Sequence, residues 1–252
     1  MSDVLVLCYH AVSPSWPADL SVTPERLHAQ LRWLVRRGYR GVTFSDALQR
    51  RTAGKLLAVT FDDAFRSVLQ LALPILDQLG IRGTVFVPTA FAGGDGALSW
   101  PGIDHWLDGP FAPELAAMSW EQLRTLGSHG WEVGSHTVSH PRLTELGDAA
   151  LAAELGDSRR ACEAATGAPC ASIAYPYGDV DARVVAAARA AGYMHGAALP
   201  ARPHRPRPLE WPRVGVYHVD SQQRFALKAS RSVRALRARA GARSGGTFNG
   251  EG

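Results

Sequence analysis

No apolar stretch of this 252-residue chain approaches the ~20 residues that a membrane-spanning helix requires. Basic residues are missing from the start. Asp3 stands where a signal peptide carries Lys or Arg, and the apolar run Val4–Tyr9 is too short for one, which predicts a cytoplasmic protein. Cysteine is scarce. Cys8, Cys162 and Cys170 are an odd, widely spaced set with no CxxC pair and no zinc-knuckle pattern, as expected of buried thiols in a reducing compartment. No GxGxxG and no P-loop occurs, so nucleotide chemistry has no support. The 25 Gly and 16 Pro show no period, which excludes collagen and solenoid architectures.

What is present is ordinary globular material, 46% hydrophobic and 20% charged, enough to close a full core and too apolar for a disordered chain. The net charge of +4 is uneven. From Ser221 onward seven basic residues face Glu251 alone, a local balance of +6 that leaves residues 1–220 near −2. The body is therefore no nucleic-acid binder on charge grounds. Two regions are expected: 1–220 as the functional domain, and 221–252 as a basic amphipathic helix with a flexible tail. Phe225, Ala229, Val233 and Leu236 recur there at helical spacing, and Gly241–Gly252 is rich in Gly and Ser. Such a helix suits packing on the body or contact with an anionic surface.

The body alternates apolar runs with helical patterns. Val4–Tyr9, Gly41–Phe44, Leu56–Phe61, Gly83–Pro88, Trp131–Gly134, Ala171–Tyr175, His195–Leu199 and Trp211–Val219 read as strands. Helices are expected from Pro24 (capped by Thr23, stopped at Gly38), over Phe65–Leu79, from Ser119 to about Ser128, over Leu143–Thr166 and over Val180–Ala191. Thr89–Pro113 is a long loop, a length usually reserved for functional segments. This rhythm is an α/β class with parallel strands, and the number of units favours a closed or nearly closed β/α barrel over an open sheet.

Chemistry concentrates at two strand ends. Asp62-Asp63 follows the apolar strand LLAVTF, at the rim where such barrels carry function. Two adjacent carboxylates repel, and a divalent cation would hold both ionised. The plainer alternative is one helix cap and one solvated side chain. His136 and His140 follow another strand; an i, i+4 pair on a helical turn would set both imidazoles toward one metal. Asp63, His136 and His140 together would leave an open position for water on zinc or another divalent transition metal. Asp62 would then be free as general base.

These residues carry a resemblance. Val59-Thr60-Phe61-Asp62-Asp63-Ala64 resembles the first motif of the polysaccharide deacetylases, the NodB-homology proteins of carbohydrate esterase family 4. Met118–Leu123 through Gly130–His140 resembles the second, and Ala174-Tyr175-Pro176-Tyr177-Gly178 the third. The resemblance covers residues 4–220 and implies a distorted (β/α) barrel of about seven strands. It implies metal-dependent hydrolysis of an N-acetyl group on an amino sugar, with Asp62 as base and Asp63, His136 and His140 as metal ligands. It also implies a backbone N–H donor to the oxyanion at Tyr177, with Pro176 and Tyr177 lining the substrate groove.

Two departures stand out. The family's Arg at the start of the third motif is Ala174 here; Arg213 is the candidate to fill that space and is also counted among the substrate-contacting residues. The general acid, a His at the end of an apolar strand, has two candidates. His218 has a poorly fitting neighbourhood, whereas Val6-Leu7-Cys8-Tyr9-His10 resembles the circularly permuted deacetylases acting on poly-N-acetylglucosamine, and His10 is taken as the acid. Trp100, with His105 and Trp106 in the same loop, offers aromatic rings for stacking on sugar, or for a satellite apolar cluster. His28, His129 and His195 have no functional reading. Two further readings stand beside hydrolysis of a polymer: a catalytically silent carbohydrate binder, and a deacetylase of a small cytoplasmic intermediate.

Overall fold

The structure is a computed structural model describing residues 3–49, 54–93, 96–199 and 206–236. The Gly/Ser-rich segment 241–252 and most of the loop 201–208 lie outside the described residues. The strands are β1 (Asp3–Tyr9), β2 (Ala11–Val12), β3 (Ser21–Val22), β4 (Tyr39–Val42), β5 (Lys55–Phe61), β6 (Thr84–Val87), β7 (Glu132–Ser135), β8 (Ser172–Ala174), β9 (His195–Ala198), β10 (Trp211–Pro212) and β11 (Val214–Gly215). The α-helices are α1 (Pro24–Val35), α2 (Phe44–Gln49), α3 (Leu73–Gln78), α4 (Trp120–Ser128), α5 (Asp148–Thr166), α6 (Ala182–Ala190) and α7 (Gln222–Ala229).

The main sheet runs β10-β9-β8-β7-β6-β5-β1-β11, all parallel, with β4 branching off against the first half of β5. One extended segment joins the two ends of this order. Trp211 and Pro212 pair with Ala197 and Ala198, and Val214 and Gly215 pair with Leu7 and Cys8. Arg213 is the joint between them, its N–H donating to the Ala198 carbonyl at 3.0 Å. Counting that segment once and setting β4 aside, seven staves surround the barrel.

Strand periodicity decides what faces inward. On β1 the odd positions Leu5, Leu7 and Tyr9 pack outward against the helices, and Val6 packs inward; on β5, Leu57, Val59 and Phe61 go outward, and Leu56 and Ala58 inward. The inward series continues to Cys8 and His10 on one strand and to Thr60 and Asp62 on the other. The interior therefore turns from apolar to polar toward the C-terminal rim. Below, it is narrow and tightly filled: a Cβ at Gly134 would lie 2.6 Å from the Phe86 ring. Outside, Phe61 stacks between Tyr9 and Trp131, with centroids 5.7 and 5.6 Å apart.

Helix ends follow their caps. Thr23 accepts from Arg26 N–H, and Ser119 and Gln122 form a capping box. The chain differs from sequence expectation in five places. The helix expected over Phe65–Leu79 opens into a π-turn at Val68–Ala72 before α3. Pro74 has no N–H to give, and the widened turn accommodates it. The strand expected at Gly41–Phe44 ends at Val42, because Phe44 starts α2 and its N–H donates to Thr84 Oγ1. Leu143–Glu145 is a separate 3₁₀ turn ahead of α5. The last strand stops at Gly215, and His218 lies in a turn. The amphipathic helix breaks at Ser230 (ψ 129°): α7 buries Phe225 and Ala229 on the body, and residues 231–236 form a further helical turn with Leu236 exposed.

Candidate metal centre and catalytic dyad

β5 is buried from Leu56 onward and delivers Asp62 and Asp63 to the rim. Asp62 N–H still pairs with Tyr9 O at 3.0 Å, so the ladder reaches that residue. Asp63 (φ 70°) and Ala64 (φ 53°) then take left-handed conformations. An extended chain would point successive side chains to opposite faces. This turn breaks the alternation and sets both carboxylates at the same mouth. Among the described residues, the five non-glycine residues with positive φ are Asp63, Ala64, Thr137, His140 and Tyr177, all in or beside this site. Such conformations cost about 1–3 kcal/mol each and persist where surrounding structure holds them.

The histidine loop is held in that way. His136 N–H donates to Val87 O at 2.8 Å, extending the β6–β7 ladder. Thr137 turns left-handed with its N–H on Ser135 Oγ, and its Oγ1 accepts from His140 N–H. Glu154 of α5 reaches across to take Val138 N–H (2.7 Å), Ser139 N–H (3.0 Å) and the Ser139 hydroxyl (2.6 Å). The i, i+4 histidines are thus brought together by a clamped irregular loop and not by the helical turn expected from their spacing.

Asp63, His136 and His140 converge. The Asp63 Oδ1 atom is 3.3 Å from His136 Nε2 and 3.4 Å from His140 Nε2, and all three side chains are at most 5% exposed. His136 Nδ1–H donates to Ala174 O at 2.8 Å, which leaves Nε2 as a bare acceptor in the neutral ring. That acceptor faces a carboxylate oxygen without a hydrogen-bond donor. Burial opposes charge on His136, yet Asp63 and Asp62 outweigh it and raise its pKa. Burial likewise opposes ionisation of Asp63, and the imidazoles outweigh that and lower it. For His140 burial wins, pushing it down to about 3 and leaving a neutral ring with a free lone pair. With both imidazoles neutral beside an ionised Asp63 carboxylate, the three side chains form a group that could hold a metal ion.

Asp62 has a different environment. Arg213 grips it with both ends, NH1 to Oδ1 at 2.6 Å and NH2 to Oδ2 at 2.7 Å, with a further NH1 bond to Thr60 Oγ1 at 3.0 Å. Burial pushes the Asp62 pKa up, and the guanidinium beside it more than compensates, so the carboxyl lies far below its usual range. The Arg213 side chain, expected among substrate-contacting residues, is 0% exposed and has both guanidinium ends on Asp62. This is the place of the Arg missing at Ala174, for which Arg213 is the candidate in the sequence, and an Arg inside an apolar strand needs such a buried anion. Cys8 Sγ also contacts Asp62 Oδ2 at 3.4 Å, a thiol that sequence reading left outside the site.

His10 gathers with Cys8 and Asp62, its ring nitrogen within 4.8 Å of their ligand atoms, and its Nδ1 is buried without a partner. Burial lowers its pKa against the pull of Asp63 and Asp62. His218 stands elsewhere, its N–H on Asp19 O. A cleft of about 450 Å³ opens beside His140, lined by Ser99, Trp100, Arg142, Glu145 and Tyr177 among others. Tyr177 is 40% exposed, with Arg142 over its ring at 4.4 Å. Pro176, next to Tyr177 of this cleft, is buried. Trp100 borders it too, with one ring face stacked on His140 (4.1 Å, 24°) and Phe91 packed edge-on. Trp106 packs against Trp16 and Phe111 in the satellite apolar cluster. His195 lies at the opposite end of its strand, 3.2 Å from Ser45 Oγ.

Residues 49–196 match the family described as Polysaccharide deacetylase. The Bacillus subtilis (strain 168) protein YxkH, whose name assigns it to the same family, is 25% identical over 196 residues, which are 76% of this chain and 62% of that protein. Among solved structures, IcaB from Ammonifex degensii aligns at 26% identity with TM-score 0.70, covering 90% of this chain and 97% of that one. The Streptococcus pyogenes deacetylase PplD, in complex with acetate, shares the fold at TM-score 0.74 and 20% identity, covering 90% and 98%.

Proposed function

The chain belongs to the polysaccharide deacetylase family, and from that premise we propose that it hydrolyses the N-acetyl group of an amino sugar within a polysaccharide, oligosaccharide or glycoconjugate. The observation that carries this reading is the pairing of two unlike carboxylates at one rim: Asp63 faces two imidazole lone pairs, and Asp62 is kept ionised beside it by Arg213. In this reading Asp63, His136 and His140 hold one divalent ion, zinc or another transition metal. Such an ion, when bound, polarises the acetyl carbonyl and makes water easier to deprotonate.

The chain's own groups do the rest. Asp62 is the base that takes the proton of the attacking water. Its two oxygens have about four lone-pair directions, and the guanidinium occupies one on each, so a proton-accepting direction remains. Arg213 keeps the carboxylate fixed and charged without touching substrate. His10 delivers the proton to the departing amine. Its resting imidazole is neutral, so the proton it gives is the one Asp62 has just taken, passed between neighbouring groups. Tyr177, turned left-handed at φ 58°, presents its backbone N–H to the developing oxyanion and its ring to the sugar.

The reading is tested by acetate release from N-acetylated chitooligosaccharides. Wild type treated with a chelator and the Asp62→Asn variant are both expected to lose at least about 100-fold, with metal returned restoring the former only. Full activity in either would overturn it.

A further inference from the structure

Beside Asp62 stands a buried thiol to which the hydrolysis assigns no step. Cys8 is 0% exposed and next to last on β1, and its backbone is fixed from both sides. It pairs with Thr60 of β5 and Gly215 of β11, and its carbonyl accepts from Val216 N–H at 2.9 Å. The sulfur lies 3.4 Å from Asp62 Oδ2, at hydrogen-bonding distance for a thiol. The other acceptor in reach, the Tyr9 carbonyl, is farther at 3.9 Å and carries no charge. An ionised carboxylate has no proton to give, so the thiol donates and the carboxylate accepts. Burial, with the Asp62 charge adding to it, pushes the Cys8 pKa well above the usual thiol range against the pull of Arg213, and keeps that proton on sulfur. The two oxygens of Asp62 are then unequal. Oδ2 accepts from Arg213 NH2 at 2.7 Å and from Cys8, which fills both of its lone-pair directions, whereas Oδ1 accepts from Arg213 NH1 alone, at 2.6 Å. Thr60 adds nothing to either oxygen: its hydroxyl donates to Leu7 O at 2.8 Å and accepts from Arg213 NH1 at 3.0 Å.

We infer that Cys8 is a positioning residue of the hydrolysis: its S–H closes Oδ2 of Asp62 and fixes the carboxylate plane, so that the one open lone pair of Oδ1 takes the proton of the attacking water. The role in the reaction rests on the deacetylase reading, whereas the bond itself stands without it. The thiol touches no substrate and keeps its proton throughout; no bond to sulfur forms or breaks. Its work is geometric. A carboxylate gripped by Arg213 alone has a free direction on each oxygen and presents two sites for the proton, and the bond from a rigid strand removes one of them. A thiol suits this place because it is a weak donor: it occupies a lone pair while drawing less charge from the base than a hydroxyl or an N–H would.

The bond is read first from the thiol itself, by infrared difference spectroscopy of the full chain. The Cys8 S–H stretch is isolated in wild type and in Asp62→Asn, each against its Cys8→Ala counterpart. It should rise in wavenumber in Asp62→Asn, which keeps the side-chain shape but replaces the charged acceptor with a neutral amide. The bands of Cys162 and Cys170 should not move. Acetate release is the second readout. Cys8→Ala should lower kcat by about three- to tenfold, the worth of one modest hydrogen bond, with KM and metal content unchanged. Cys8→Ser, whose hydroxyl hangs on a shorter bond and stops farther from Oδ2, should fall between Cys8→Ala and wild type. A Cys8 band that keeps its wavenumber in Asp62→Asn, a wild-type kcat in Cys8→Ala, or a loss in Cys8→Ala that shows in KM or metal content would overturn the inference. A wild type that releases no acetate at all would overturn the deacetylase reading, and the positioning role with it, while the band shift still decides the bond.

Discussion

Truncating Arg213 separates a structural ion pair from one that sets catalysis. Arg213→Ala leaves the Asp62 carboxylate buried, 3% exposed, with its two guanidinium bonds of 2.6 and 2.7 Å removed. Losing one partner of such a pair costs about 3–5 kcal/mol. For a chain of this size that corresponds to a fall in Tm of roughly 6–20 °C. The sign of the pH effect follows from the two opposed influences on Asp62. Burial alone raises its pKa, and in wild type the guanidinium overrides burial. With the guanidinium gone, burial remains, and the base protonates at higher pH. The acid limb of kcat/KM should therefore move upward, and activity at neutral pH should fall by about 100-fold or more, recovering partly as pH rises. The assay is acetate release across a pH series, alongside thermal unfolding. Arg213→Lys retains charge but not the two-pronged grip, and should fall between wild type and the Ala variant. An Arg213→Ala protein that unfolds at the wild-type temperature with an unmoved acid limb would refute the reasoning.

Two further outcomes are expected. Trp100→Leu removes the ring stacked on His140 at 4.1 Å, and should weaken metal binding by about tenfold with KM little changed; a raised KM with unchanged metal affinity would instead make Trp100 a sugar platform. At the other end of the barrel, Arg234 donates to Asp3 at 2.7 Å, and Tyr39 shares the same carboxylate. Burial raises the Asp3 pKa, but those bonds outweigh it, so its folded value is depressed. The stability this supplies is present above the ordinary carboxylate range and lost as pH falls through the folded value. Arg234→Ala should cost about 1 kcal/mol at pH 7, and the gap to wild type in denaturant unfolding should narrow toward about pH 3. A gap independent of pH would contradict this.

Much of the barrel was legible because buried parallel strands read as continuous apolar runs, and Val4–Tyr9 and Leu56–Phe61 did so with their tips at His10 and Asp62. The chemistry-bearing types were legible too, since Asp-Asp and paired His at strand ends have few cheaper explanations together. What stayed hidden was three-dimensional. Spacing alone suggested a helical turn for His136 and His140, because nothing local announces that Glu154, on a helix that follows, supplies the bonds holding an irregular loop. The two-sided pairing of Trp211–Gly215, and with it Arg213 as a joint closing the barrel onto Asp62, depends on strands from both ends of the chain. Trp100 borders the cleft as its residue type suggests, but its stacking on His140, like the burial of Pro176, depends on neighbours distant in the chain.

The central claim is that one cation is shared by Asp63, His136 and His140. Titrating metal-stripped protein with Zn²⁺ or Co²⁺, followed calorimetrically and by the cobalt absorption spectrum, tests it most directly. The account predicts one tight equivalent in wild type with a tetrahedral or five-coordinate cobalt signature, and its loss in both Asp63→Ala and His140→Ala. A wild type that takes up no ion, or variants that bind as tightly as wild type, would contradict it.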